Sequence, residues 1–539
     1  MTRWRTGLLP ASLIAVSAGL AAGGAAAQTQ TQTQAQAPDA RAIITERCAS
    51  CHTPEGDGWK RISHIRKSPE GWEMTLFRMG HLHGARLSET EASTLIRYLA
   101  DTQGLAPSET ADYRYILERQ PNVAEAEADE GLVTTCARCH SFARVALQRR
   151  DADEWLKLAH FHVGQFPTIE YQFMSRDHEY WQRISTETPQ ILGQRFPYET
   201  AAWTAWKDAG KADPAGTWAV SAYQPGKGAY GGTMTVTAAG EGTYRVAYDL
   251  TDAAGQPLTG EGLASVFTGY EWRGSVSLGG TDLREIMALS EDGTTLSGRA
   301  FQAAADEVGA TVTAVKMDGR PVLVGLSKPS LKAGESATVT LWGDGLGSRI
   351  DFGPGITVEP QGVSAGRAVV RLTAARDAAP GWRTIKVGDA TLEQGFAVYR
   401  SVDSVRIEPE TAVARVGGGG GALGAITAQL EAVGYLNGPD GQPGTDDDVR
   451  LGALPAAWSV ANRDEAAEGM EDARFAGTMN SSNGLFQPAL AGPNPERRFG
   501  TNNVGDLTVT GTVKDGTRSV SGEGRLVVTV QRWNDPPIH

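Results

Sequence analysis

Two stretches, Cys48-Ala49-Ser50-Cys51-His52 and Cys136-Ala137-Arg138-Cys139-His140, share one pattern and decide how the N-terminal third of the chain is organised. Together they contain all four cysteines of the 539-residue sequence. Each pentad separates two thiols by two residues and places an imidazole directly after the second thiol. A single Cys-x-x-Cys pair is typical of a redox dithiol or half a zinc site. Two complete pentads with no cysteine left over favour a different chemistry.

The pattern is that of covalent c-type haem attachment, in which both thiols form thioether links to the porphyrin and the histidine ligates the iron. The sequence therefore predicts two covalently bound haem c groups and a role in electron transfer. The predicted cofactor-binding residues are Cys48, Cys51, Cys136 and Cys139, and the predicted iron ligands next to them are His52 and His140.

The second axial ligand of each iron is predicted from a repeated helix start. Ser68-Pro69-Glu70-Gly71-Trp72 and Asp151-Ala152-Asp153-Glu154-Trp155 each place a capping side chain four residues before a tryptophan. About two helical turns further on lie Met79 and His162, on the same face as their tryptophans. We predict His162 for the second haem and Met79 for the first, with His83 as the alternative to Met79. A methionine on an apolar helix face also suits plain core packing, so that interpretation stays open.

The spacing of apolar residues changes after residue 211 from helical to short alternating runs separated by glycine turns. We predict a multidomain fold in which an all-α dihaem cytochrome c domain precedes three all-β domains. The predicted boundaries are 41–125 and 126–211 for the two haem units, 212–320 for an antiparallel β-barrel, 321–402 for an immunoglobulin-like β-sandwich and 403–539 for a C-terminal immunoglobulin-like β domain.

The N-terminus predicts export. Residues 1–27 combine Arg3 and Arg5 with an apolar stretch and a small-residue cleavage site near Ala27, as in a signal peptide, and 28–40 form a low-complexity linker. We expect a periplasmic protein without a membrane span in the mature chain, because the apolar stretch is short and alanine-rich. A formal net charge of −13 argues against a nucleic acid partner.

One acidic loop, 437–448, admits two interpretations. It contains Asp440, Asp446, Asp447 and Asp448, whose carboxylates are the ligand type that calcium prefers. The loop lacks the EF-hand spacing and a closing glutamate, so we favour an ordinary solvated loop over a calcium site.

With these parts in order, nearly the whole mature chain resembles the α subunit of quinohaemoprotein amine dehydrogenase. The resemblance rests on the paired pentads, the run 162–171, the stretch Gly269-Tyr270-Glu271-Trp272-Arg273-Gly274 and the trailing β regions. It implies a periplasmic heterotrimer that oxidises primary amines to aldehydes and ammonia. It also implies that cysteine tryptophylquinone lies in a small partner subunit and that a β-propeller subunit completes the complex.

The cysteine count agrees with a quinone in a partner subunit, because a quinone of this type needs a free cysteine and the pentads use all four. We therefore predict no catalytic residue here. The chain would take electrons from the quinone and pass them to a soluble blue-copper protein or cytochrome c. One alternative is a dihaem cytochrome c peroxidase, which two plausible sixth ligands argue against. The other is a haem-bearing scaffold or adhesion protein, which would purify without tightly held partners.

Overall fold

The computed structural model describes residues 39–125, 129–166, 169–174, 179–347 and 349–531. The predicted signal peptide, 1–27, lies outside the described residues, as does most of the predicted linker. No helix within the described ranges is long and apolar enough to cross a bilayer.

Helices are concentrated in the N-terminal part. The first six are α1 (Ala40–Arg47), α2 (Pro69–His83), α3 (Glu89–Thr102), α4 (Pro107–Thr110), α5 (Glu130–Cys136) and α6 (Ala143–Ala146), with a 3₁₀ turn over Ala111–Ile116. They are followed by α7 (Ala152–Gln165), α8 (Ile169–Phe173), α9 (Tyr180–Arg195) and α10 (Ala201–Asp208).

Both predicted helix starts are confirmed. The Ser68 hydroxyl accepts a hydrogen bond from the Gly71 amide at 3.2 Å and begins α2, with Pro69 as the first helical residue. The Asp151 carboxylate accepts one from the Glu154 amide at 2.8 Å and begins α7. The tryptophans that follow these caps, at positions 72 and 155, are both buried, so the two helices insert equivalent faces into their cores.

Four short strands lie in the two pentad regions. They are β1 (Pro54–Glu55), β2 (Gly58–Trp59), β3 (Arg66–Lys67) and β4 (Gln148–Arg149). β1 pairs with β2 near the first pentad, whereas β3 and β4 pair across the two regions, with Arg66 opposite Arg149. The backbone of the first pentad region is therefore hydrogen-bonded to that of the second.

Glu109 joins the same two strands through side chains. Its carboxylate accepts two hydrogen bonds from Arg66, at 2.8 and 2.9 Å, and one from Arg149 at 2.9 Å. It also accepts hydrogen bonds from the Thr200 hydroxyl at 2.9 Å and the Ala106 amide at 2.8 Å. Burial raises the pKa of Glu109, but the hydrogen bond from Arg66 and the two guanidinium charges lower it more, so the pKa lies below its ordinary value. The buried carboxylate is thus held ionised between two buried cations.

The predicted division into an all-α domain followed by all-β domains is wrong. Helix accounts for 23% of the chain and strand for 43%. The N-terminal region contains β1–β4: β1 pairs with β2, and β3 pairs with β4 where the segments that present Arg66 and Arg149 to one carboxylate run side by side. The C-terminal region in turn contains two short helices, α11 (Glu465–Gly469) and α12 (Asp472–Phe475), so it is not all-β.

Eight antiparallel strands form a closed barrel in which each strand pairs with its neighbours in sequence and the last pairs with the first. Trp218, Tyr230 and Trp272 fill its interior, as expected for a small barrel. The strands are β5 (Gly216–Gln224), β6 (Gly228–Gly240), β7 (Thr243–Asp252), β8 (Pro257–Phe267), β9 (Glu271–Leu278), β10 (Thr281–Leu289), β11 (Thr295–Gln302) and β12 (Ala305–Lys316).

Two four-stranded sheets follow and enclose a separate apolar core around Phe352 and Phe396. One contains β13 (Val322–Leu326), β15 (Ser336–Asp344), β17 (Ile356–Ser364) and β18 (Arg367–Ala374). The other contains β14 (Ser330–Lys332), β16 (Ile350–Asp351), β19 (Gly381–Val387) and β20 (Ala390–Tyr399).

The last region has three sheets around a further core, and it folds back onto the earlier parts. The Val413 amide donates to the Asn122 side chain at 2.8 Å, and the Thr427 amide donates to Glu307 at 3.2 Å. Its strands are β21 (Ser404–Glu408), β22 (Thr411–Arg415), β23 (Ala428–Gln429), β24 (Glu431–Leu436), β25 (Val449–Ala453), β26 (Ala456–Asn462), β27 (Gly477–Met479), β28 (Leu485–Pro488), β29 (Gly505–Asp515) and β30 (Arg518–Thr529).

The segment 268–273 attaches the barrel to the helical region. The Thr268 carbonyl accepts a hydrogen bond from the Trp206 indole at 2.8 Å, and the Thr268 amide donates one to the Asp101 carboxylate at 2.6 Å. Arg273 on β9 pairs with Glu70 on α2 at 2.5 Å. Trp272, its neighbour, points into the barrel core, so alternate residues of this strand serve the core and the interface.

We predict that Glu109→Gln destabilises the helical region by about 3–5 kcal/mol, because it leaves the buried charges of Arg66 and Arg149 without a counter-ion. Urea unfolding followed by helical circular dichroism measures the change. Glu46→Gln is the matched control, since Glu46 lies in an exposed pair with Arg47. Equal midpoints for the two variants would contradict this role of Glu109.

Candidate functional site

A cavity of about 1630 Å³ lies against the second pentad. It is larger than an ordinary small-molecule pocket of roughly 300–1,000 Å³. Cys136, Cys139 and His140 line it together with His162. Apolar side chains of α7 and α9 also line the cavity, among them Leu158, Phe161, Ile184 and Leu192. Residues 263–265 of the barrel and 423–426 of the last region line it as well.

Both imidazoles at this cavity are fixed through Nδ1. Nδ1 of His140 lies 3.0 Å from the Ser141 carbonyl oxygen, and Nδ1 of His162 lies 2.8 Å from that of Leu158. A carbonyl oxygen can only accept, so in each neutral ring Nδ1 donates and the lone pair is on Nε2. This is the arrangement by which proteins orient metal-ligating histidines.

Burial keeps both rings in the form that binds a metal. It lowers the pKa of His140, with the charges of Arg144 and His162 lowering it further. It also lowers the pKa of His162, to which the charges of Arg78, Arg150 and Arg144 add. Neutral imidazole is the ligating form, so both side chains suit iron ligation near neutral pH.

The thiols of the second pentad lie beside a buried tyrosine. Cys136 is the last residue of α5, and Cys139 is exposed. Burial raises the pKa of Tyr180, and the nearby thiols of Cys136 and Cys139 raise it further. All four cysteines lie among the described residues, and none forms a disulfide.

The first pentad is folded into one tight turn at the end of α1. The Cys48 carbonyl accepts hydrogen bonds from the amides of Cys51 at 3.1 Å and His52 at 2.9 Å. Nδ1 of His52 lies 3.0 Å from the Lys60 carbonyl oxygen, which repeats the orientation found at the second pentad. Burial raises the pKa of the Cys48 thiol, and Cys51 adds to this.

The candidate ligands of the first site lie near the end of α2. Leu76, on the same helix face as Met79, packs in one apolar cluster with Cys48, so this face of α2 is turned to the first pentad. Met79 is half-buried, and His83 is exposed at the last helical residue. Of the two candidates, Met79 is therefore the better covered, and the choice between them stays a prediction.

The opposite face of α2 was missed by the sequence analysis. Met74, Phe77 and His81 line the large cavity of the second site, and the Phe77 and His81 rings stack with centroids 5.7 Å apart. Their spacing of three and four residues is itself an amphipathic signal, so α2 carries two apolar faces. Phe77 lines this cavity and is 63% exposed to solvent, which suits contact with a flat apolar ligand.

The residues fit a covalently held haem. Two thiols and an oriented imidazole adjoin a large cavity with apolar walls, and a second oriented imidazole lines the same cavity. No other grouping suggests a metal, since within the described ranges no set of three or more His, Cys, Asp or Glu side chains is arranged to hold an ion. In the 440–448 loop, Asp448 instead accepts hydrogen bonds from the Gly444 and Thr445 amides.

Solved structures with partial similarity include a redesigned β-barrel, mFAP1, bound to DFHBI, at 19% identity and a TM-score of 0.18, covering 19% of this chain and 94% of that one. Domains 5–6 of the S-layer protein SbsC share 15% identity at a TM-score of 0.16, over 40% and 100% of the chains. Drosophila N-cadherin EC1-4 shares 10% identity at 0.15, over 60% and 94%. Such low scores carry no argument about function. Comparison with curated proteins returns no match.

Four protein-family models match consecutive parts of the chain. Residues 38–203 match the quinohemoprotein amine dehydrogenase A, alpha subunit, haem-binding family. Residues 211–317, 320–400 and 405–538 match domains II, III and IV of the same alpha subunit. Together these matches span nearly all of the described residues, and the haem-binding match contains both pentads. The chain therefore belongs to the quinohaemoprotein amine dehydrogenase α-subunit family, as the haem-binding subunit of a multi-subunit oxidoreductase.

Proposed function

We propose that this chain binds two haem c groups covalently and carries electrons out of a periplasmic amine dehydrogenase complex. The observation that carries the proposal is the pairing of His140 with His162 at one cavity beside Cys136 and Cys139, with both imidazoles oriented through Nδ1. The first pentad repeats the thiol spacing and the oriented histidine, at His52. The proposal assigns thioether formation to Cys48, Cys51, Cys136 and Cys139, and iron ligation to His52, Met79, His140 and His162, with His83 as the alternative to Met79.

Bound haem supplies reversible one-electron chemistry, and the residues of this chain hold it in place. The carbonyls of Ser141 and Leu158 keep His140 and His162 from rotating, so little rearrangement accompanies a change of oxidation state. The apolar side chains of α7 and α9 exclude water from the cavity wall. α2 contributes Leu76 to the apolar cluster that contains Cys48 and contributes Phe77 to the cavity at the second pentad, so one helix borders both proposed sites.

The proposal gives amine oxidation to partner subunits. Oxidation of a primary amine to an aldehyde and ammonia releases two electrons, which two haems can take one at a time. We infer that cysteine tryptophylquinone lies in a small partner subunit, that a β-propeller subunit completes a heterotrimer, and that a soluble blue-copper protein or cytochrome c accepts the electrons. These assignments, and export through a signal peptide at 1–27, rest on family membership and on the sequence.

The pentad assignment is tested by removing both thiols of one pentad. The double variant Cys136→Ala/Cys139→Ala should retain one covalent haem, and Cys48→Ala/Cys51→Ala should retain the other, because a haem without thioether links is lost on denaturation. Intact-mass measurement of the denatured polypeptide counts the haems. Ser50→Ala, inside the first pentad, is the control and should retain both. A double variant that keeps two covalent haems would refute the assignment.

If amine oxidation takes place in a partner subunit, the purified chain alone should not oxidise amines and should not stain as a quinoprotein after denaturing electrophoresis. The physical reason is that thioether bonds occupy every cysteine, which leaves no thiol for a tryptophylquinone. Adding the partner subunits should restore amine-dependent haem reduction, measured by the Soret band. Quinone staining of this polypeptide itself would contradict the assignment of the quinone to a partner subunit.

The ligand assignment predicts two different haems. Methionine sulfur favours ferrous iron, whereas a second imidazole stabilises ferric iron, so the first haem should have the higher reduction potential. Met79→Ala should abolish the weak long-wavelength band of a ferric iron–methionine bond, and His162→Ala should leave that band intact. If Met79→Ala leaves the spectrum unchanged and His83→Ala alters it, the first haem has two histidine ligands.

A further inference from the structure

Three cations that line the large cavity have no ion-pair partner among the described residues. Lys67, Arg78 and Arg144 all line it. Lys67 donates to the Thr75 hydroxyl at 2.8 Å, and Arg78 donates to the same hydroxyl at 3.3 Å. The Nε atom of Arg78 is buried without a hydrogen-bond partner. In the part of the chain that the structure describes, no carboxylate forms an ion pair with any of the three cations.

Elsewhere the chain supplies a carboxylate for each buried arginine of the helical region. Glu109 pairs with Arg66 and Arg149, and Glu154 lies 3.9 Å from Arg150. At the cavity wall Lys67 is buried and Arg78 and Arg144 are half-buried without such a carboxylate, although burying an unpaired charge is costly. Burial lowers the pKa of Lys67 well below its ordinary value, and the charges of Arg150 and Arg78 add to this. An anion bound at the wall would offset both burial and mutual repulsion.

We propose that Lys67, Arg78 and Arg144 bind the propionate carboxylates of the haem on the second pentad and thereby raise its reduction potential. The inference rests on the proposed function, which assigns a haem to this cavity. Haem is amphiphilic, with a flat apolar ring and two carboxylates on one edge. The cavity offers matching surfaces, since its apolar side chains and paired imidazoles suit the ring and iron and its cations suit the carboxylate edge.

The direction of the effect follows from charge. Ferric haem carries one more positive charge than ferrous haem, so nearby cations favour the ferrous state. Pairing also cancels the negative charge of the propionates, which would otherwise favour the ferric state. The first pentad packs toward the opposite face of α2, so the effect should fall mainly on one of the two haems.

The test is a spectroelectrochemical titration of the full chain with both haems attached. Arg78→Met should change the ferric-to-ferrous ratio of one haem about tenfold, a shift of about 59 mV to lower potential for a one-electron couple. The other wave should stay in place. Arg78→Lys, which keeps the charge, should restore most of the potential. Arg86→Met removes an exposed arginine that does not line the cavity and should move neither wave.

Lys67→Met provides a second variant and should shift the same wave in the same direction. The inference is overturned if variants that retain two covalent haems by intact mass keep both wild-type potentials, or if both waves move equally. These results would leave the proposed function standing. Absence of covalent haem from the second pentad of the wild-type chain would instead overturn the proposed function together with the inference.

Discussion

The buried carboxylate of Glu109 and the two arginines that it joins, Arg66 and Arg149, hold the two pentad regions in one geometry. Each arginine belongs to a two-residue strand, and the strands pair with the arginines opposite each other. A single carboxylate between two buried guanidiniums satisfies charges whose desolvation would otherwise oppose folding. Because one arginine comes from each region, neither region can move without breaking this network. The proposed electron transfer between two haems would require such a fixed separation.

The helix α2 depends on that constraint, because it follows directly from the strand that carries Arg66. One of its faces contributes Leu76 to the apolar cluster that also contains Cys48, and the other presents Phe77 and Arg78 to the cavity of the second pentad. The same helix also bears Glu70, which pairs with Arg273 of the barrel. One short segment thus links both candidate sites to the β regions, which explains why the barrel borders the cavity.

Local chemistry was predictable from the sequence and long-range chemistry was not. The helix starts at Ser68 and Asp151 were predictable because a capping side chain acts over three residues. The β3–β4 pair was not, since each strand has two residues and the carboxylate that joins their arginines, Glu109, lies 43 residues from Arg66 and 40 residues from Arg149 in the sequence. The lack of an ion-pair partner for Lys67 and Arg78 was not predictable either, because it also depends on long-range packing. Their neighbours in the sequence do not reveal whether an acidic side chain packs against them in the fold. The apolar face of α2 at positions 74, 77 and 81, in contrast, was predictable from its helical spacing.

The central claim is that both pentads hold haem covalently within one polypeptide. Intact-mass measurement of the denatured wild-type chain, followed by digestion and identification of the haem-bearing peptides, tests it most directly. If both pentads bind haem covalently, the mass equals that of the processed polypeptide plus two haems, with one haem on the peptide containing Cys48 and Cys51 and one on that containing Cys136 and Cys139. A polypeptide that loses its haem on denaturation, or that carries haem on one pentad alone, would contradict the claim.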